Sequence, residues 1–151
     1  MFASFSVRRY RDEMAKILLV SDAQTVLEEF RSVLDDGHNE ITELRSGALV
    51  RGAVANEAPD LVITDCQVQN MGGIAVCLDL KLEESGGRIP HVPVLIALDR
   101  RADVFLAKRA LAEGFLVKPL DPIRLRRAAA ALLEGGTYRD ESYKPVTVAR
   151  P

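Results

Sequence analysis

Apolar residues in this chain fall into two patterns that take turns along the sequence, and their order predicts the architecture. Ile17 to Val20 and Leu61 to Ile63 are apolar at every position. A strand with one wet face would alternate, so these runs predict strands buried on both faces, as in a parallel sheet. Val92 to Leu98 and Phe115 to Val117 read the same way, and Glu40 to Leu44 is a weaker strand. Between them the spacing turns helical. Val26, Leu27, Phe30, Val33 and Leu34 predict a helix from Gln24 to Asp36, with Asp22 as its N-cap and Gly37 as its stop. Gly47 to Asn56, Gly73 to Glu84 and Ala102 to Glu113 are further helices. Asp121 caps a last one, with Pro122 in its first turn, a Leu125, Ala128, Ala129, Leu132 stripe, and Gly135 and Gly136 at its end.

Strand and helix thus alternate five times, which predicts an α/β domain, a doubly wound five-stranded parallel sheet with helices on both faces. Over 151 residues one such domain is expected, spanning 15–136. Residues 1–14 read as a loose basic arm; Met14 directly precedes AKILLVSD, and a start there would leave the arm out of the protein. Residues 137–151 form a polar tail, expected to be mobile or to clip onto a surface.

Composition narrows the function more than the fold. A net charge of −2 gives no general attraction to nucleic acid or anionic lipid, and no apolar run approaches a membrane span. The two cysteines, Cys66 and Cys77, are too few for a disulfide scaffold and lack zinc-site spacing, so a cytoplasmic setting is expected. The basic residues of the last two helices, among them Arg100, Arg101, Lys108, Arg109, Arg124, Arg126 and Arg127, are explained by solvated faces and could also dress a docking surface.

In an open α/β sheet, ligands bind beyond the carboxyl ends of the strands. Strand one ends in Ser21 and Asp22, strand three in Asp65, strand four in Leu98 and Asp99, and strand five in Lys118. Carboxylates crowded there repel one another unless a cation joins them, and Mg²⁺ prefers oxygen ligands with several waters. Asp22 and Asp65 are the candidate ligands. A carboxylate beside Mg²⁺ can also attack phosphorus, and Lys118 would then pair with the added phosphoryl oxygens.

These residues carry a family resemblance. ILLVSD at 17–22, PDLVITD at 59–65 and GFLVKPLDP at 114–122 resemble, in order and spacing, the motifs of response-regulator receiver domains of two-component signalling. The resemblance implies a flavodoxin-like sheet of order 2-1-3-4-5, with Asp65 as phospho-acceptor and Lys118 as phosphate sensor. It also implies Mg²⁺ held by Asp22, Asp65 and the backbone carbonyl of Gln67, bound weakly because Ser21 stands where the family usually has an acid. A histidine kinase or phosphotransfer protein would be the donor, and a protein target, or a second copy of the chain, would bind the last two helices and last strand. No nucleic acid, membrane insertion or enzymatic turnover is expected.

Four positions depart from the family pattern. Ser21 stands where an acid is usual, Leu98 where a Thr or Ser hydroxyl normally latches onto the phosphoryl group, Phe115 where Tyr is frequent, and CQVQNMGG lacks the usual Met-Pro pair. A degenerate receiver, acting as a phosphorylation-independent accessory subunit of a larger complex, is therefore the alternative. Gln67 excludes a phosphatase of the haloacid dehalogenase type, which needs an Asp two residues after its nucleophile. The turn after strand one lacks G-x-G-x-x-G, and no helix-turn-helix segment is present.

Overall fold

A computed structural model describes residues 14–145. The proposed arm up to residue 13 and the last six residues of the tail lie outside the described residues.

Strands β1 (Ala15–Val20), β2 (Asn39–Leu44), β3 (Leu61–Asp65), β4 (Val94–Leu98) and β5 (Gly114–Val117) alternate with helices α1 (Gln24–Leu34), α2 (Val50–Asn56), α3 (Gly73–Ser85), α4 (Val104–Arg109) and α5 (Pro122–Leu133). The sheet order is β2-β1-β3-β4-β5 with one strand more than expected, β6 (Tyr138–Arg139), beside β5. Every pairing is parallel. Because side chains alternate across a strand, the continuous apolar runs feed two cores at once. Ile17, Leu19, Leu61, Ile63, Leu95 and Leu116 pack with α1 and α5. Leu18, Val20, Val62, Val94, Ile96, Leu98 and Val117 pack on the opposite face with α2, α3 and α4.

Three local expectations are corrected. Asp22 does not cap α1: the cap position is Ala23, and the side chain that turns the chain there is Ser21, whose Oγ accepts from the Ala23 amide at 3.1 Å. The helix expected over 102–113 shrinks to α4 behind a short 3₁₀ turn, Arg101–Asp103, because Leu111 takes a left-handed backbone at φ 62° where no glycine is available. The sheet has six strands because the tail, polar in sequence, finds backbone partners that no hydrophobic pattern announces.

That tail is clipped on at both of its chemistries. The Tyr138 amide donates to the Glu113 carbonyl at 3.0 Å and the Asp140 amide to the Phe115 carbonyl at 3.3 Å. Beyond β6, the Asp140 carboxylate takes over the role of the strand and accepts from the Val117 amide at 2.9 Å. Tyr138 packs on one core and Tyr143 on the other, so the segment straddles the β5 edge. Burial pushes the Asp140 carboxyl up, but hydrogen bonds from Ser142 and Val117 and the charge of Arg124 outweigh it and hold the group below its usual value of 3.8.

A carboxyl held low stabilises the fold above its unfolded value and stops doing so as pH falls through the folded one. Asp140→Ala should therefore cost about 1–3 kcal/mol at pH 7 in urea unfolding, by leaving the Val117 amide without its acceptor. The difference from wild type should vanish well below pH 3.8; a difference that persists there would show that the clip does not depend on the carboxylate.

Candidate functional site

Backbone bonds continue past the carboxyl ends of the strands, joining β1 to β2, β3 to β4 and β5 to β4, while Val20 lies in register with Thr64 across β1 and β3. The Ser21 amide donates to Leu44, Cys66 to Ala97, and Lys118 to Leu98, at 3.1, 2.9 and 2.8 Å. Asp65 closes β3, every residue of which is buried, and its side chain is only 4% exposed. A carboxylate so placed needs a cation or hydrogen-bond donors to remain charged. It has both. Lys118 Nζ donates to Asp65 Oδ1 at 2.6 Å, and Ser21 Oγ donates to Asp65 Oδ2 at 3.1 Å. The Lys118–Pro119 peptide is cis.

Lys118 serves a second acid, donating also to Asp99 Oδ1 at 2.9 Å. Burial works against its charge, but the bonds to Asp65 and Asp99 prevail and raise its pKa above 10.5. The ammonium is thus fixed in its charged form between two carboxylates. Asp99 was visible at the end of strand four, but nothing in the sequence assigned it a partner. The hydroxyl of Ser21 is likewise legible in sequence only as a missing acid; in the structure it is a donor to Asp65 itself.

Of the other predicted ligands, Gln67 lies on the loop that follows β3 and Asp22 on the turn between β1 and α1. Asp22 Oδ2 accepts from the Gln69 amide at 3.1 Å, which ties the end of β1 to the loop carrying Gln67. Two glycines let that loop pass. A Cβ on Gly73 would lie 2.4 Å from the Asp65 carbonyl oxygen, and one on Gly47 would lie 1.8 Å from that of Met71. Gly47 also donates its amide to Gln69 at 3.3 Å, and Asn70 donates from its side chain to Ser46 at 3.0 Å. The turn before α2 therefore sets the height of the loop after β3.

Among the described residues no three His, Cys, Asp or Glu side chains gather as a metal cluster. A cation here would rest on two carboxylates, Asp22 and Asp65, the Gln67 carbonyl and water. That all-oxygen set is of the kind Mg²⁺ accepts, with Ser21 leaving it one charge short. Leu98 faces the core and is fully buried, so strand four offers the pocket no hydroxyl. Phe115 is buried too. Burial and the neighbouring charges of Asp103, Asp99 and Asp65 push the Cys66 thiol up to about 11, far from the thiolate that redox chemistry needs.

Comparison with known proteins gives one answer. A family model described as the response regulator receiver domain matches residues 17–130. "Response regulator PleD" of Caulobacter vibrioides is 30% identical over 111 residues, covering 74% of this chain and 24% of PleD, so the chain spans about a quarter of that regulator's length. "Protein PilH" of Pseudomonas aeruginosa is 26% identical over 81% of this chain and all of its own length. The signal receiver domain of a signal transduction histidine kinase from Syntrophus aciditrophicus superposes with a TM-score of 0.71 at 25% identity, covering 90% of this chain and 99% of that one. Among the described residues no helix is long and apolar enough to cross a membrane.

Gly47→Ala should destabilise the protein by about 1–3 kcal/mol in denaturant unfolding, since backbone and not a flexible side chain must yield. Amide exchange should accelerate over 66–72, whereas Gly52→Ala, where a Cβ meets nothing, should leave that loop unchanged. Equal behaviour of the two variants would detach the loop from the turn before α2.

Proposed function

Since the chain belongs to the response-regulator receiver family, we propose that it works as a phospho-accepting switch of two-component signalling, with Asp65 taking the phosphoryl group. The observation that carries this reading is the contact of a buried strand-end carboxylate with a charged lysine at 2.6 Å. An Asp65 oxygen attacks the phosphorus of a phosphohistidine on a kinase or phosphotransfer protein. The O–P bond forms as the P–N bond breaks, and the imidazole leaves with the electron pair. Lys118 then exchanges its bond to Asp65 for one to a phosphoryl oxygen, and water later returns the carboxylate and inorganic phosphate.

Mg²⁺, when held by Asp22, Asp65 and the Gln67 carbonyl, would neutralise charge on the transferring oxygens. The chain's own preparation for that charge is the ammonium of Lys118. In the resting state the Ser21 hydroxyl occupies the second Asp65 oxygen, so the nucleophile must give up that bond or react through the oxygen facing Lys118.

The output is binding. The surface between α4 and α5 is the proposed target site, and there β6 and its flanking residues already cover the β5 edge. A partner meets the exposed Phe105 and Leu106 of α4 beside Lys108 and Arg109 instead of a bare strand. A phosphorylation-independent accessory role has no observation of its own beyond Ser21 and Leu98, and both leave Asp65 and Lys118 paired.

Incubation with Mg²⁺ and acetyl phosphate should add one phosphoryl group by intact mass, and Asp65→Asn should abolish the gain. An unchanged gain in that variant would remove Asp65 as acceptor. Ser21→Asp should cost about 1–3 kcal/mol without metal, because it sets a third acid beside Asp65, and Mg²⁺ should recover the loss. The Mg²⁺-induced rise in Tm should be larger in Ser21→Asp than in wild type; equal rises would place the metal elsewhere.

A further inference from the structure

We propose that Asp99 is a positioning residue that governs Lys118: it opposes the arrival of the phosphoryl group and, once expelled by it, carries the loop after β4 into the signalling state. This rests on the reading of Asp65 as acceptor. Lys118 Nζ is shared by Asp65 Oδ1 at 2.6 Å and Asp99 Oδ1 at 2.9 Å, so the two carboxylates lie within about 6 Å of each other across one ammonium. Asp99 is the outer of the two, with its side chain 34% exposed against 4% for Asp65.

An acyl phosphate carries more negative charge than the carboxylate it replaces. Lys118 cannot hold that group and Asp99 equally well, and like charges beside one ammonium repel. The weaker, more solvated anion leaves. Its departure matters because Leu98 points into the core and supplies no hydroxyl to the pocket. Among the described residues Asp99 is the side chain that joins the β4–α4 loop to Lys118. The rest of that loop is turned on itself, with Arg100 donating to Asp103 Oδ1 at 3.1 Å.

Asp103 gives the released loop a reason to move. It is buried, and its Oδ2 has no hydrogen-bond partner, an arrangement that costs free energy as long as water is kept out. Freeing Asp99 lets residues 99–103 lift and hydrate that oxygen at the start of α4. A hydroxyl latch pulls this loop inward on phosphorylation; here charge pushes it outward.

The test is a time course of phosphorylation from acetyl phosphate with Mg²⁺, read by intact mass, in wild type, Asp99→Asn and Asp99→Glu at low and moderate salt. Amide exchange over 99–104 is measured alongside. Asp99→Asn should be phosphorylated about 3–10 times faster at low salt, and the advantage should shrink as salt screens the charge. Asp99→Glu should stay near wild type. Exchange over 99–104 should rise on phosphorylation of wild type and already be raised in resting Asp99→Asn. Phosphorylation of Asp99→Asn alone would also support the proposal. Equal rates with a phosphorylated wild type, or no change in exchange, would overturn the role of Asp99 and leave Asp65 as acceptor. No phosphorylation of any form would overturn the acceptor reading and this inference with it.

Discussion

The structure depends on keeping a carboxylate charged at the buried end of a strand. Asp65 ends a strand with no wet face, so its buried oxygens are paired only by what the neighbouring strand ends supply. Lys118 supplies the charge and Ser21 a hydroxyl, and each is delivered by a different strand. The parallel order brings those ends level. A slip of one residue in β5 would turn Lys118 to the other face of the sheet and leave Asp65 facing no cation.

The same requirement explains the glycines around the site. The loop after β3 doubles back so tightly that its own strand's carbonyl lies against Gly73, while Met71 lies against Gly47 from a neighbouring element. These contacts, with the Asp22 bond to the Gln69 amide, fix where Gln67 and Asp22 stand relative to Asp65. The geometry of these candidate ligands is therefore set by backbone crowding as much as by the acids themselves.

The five central strands and their order were legible because a parallel sheet writes itself as continuous apolar runs, and three motifs at strand ends identified the family. Asp22, Asp65 and Lys118 were readable for the same reason: each directly follows or closes such a run. What escaped was everything that depends on partners distant in sequence. Ser21 reads in sequence as a lost charge and is a donor; Asp22 reads as a metal ligand that also caps α1, whereas its carboxylate accepts from the Gln69 amide of the loop after β3; Asp99 has no partner visible in the sequence. The sixth strand escaped because its partners are backbone groups of β5 and one polar side chain, Asp140, which leave no hydrophobic signature.

Ser21 and Asp99 together set where charge sits around Asp65. Ser21 removes an acid from the metal side, and Asp99 places one on the lysine side. With Ser21 at the end of strand one, the two carboxylates Asp65 and Asp99 are gathered on Lys118. Leu98 fits the same exchange, since a latch that pulls on the phosphoryl group would compete with a carboxylate beside it. Under the role proposed for Asp99, Ser21, Leu98 and Asp99 form one consistent arrangement, in which Lys118, bonded to both Asp65 and Asp99, links the end of β3 to the loop that leads into α4.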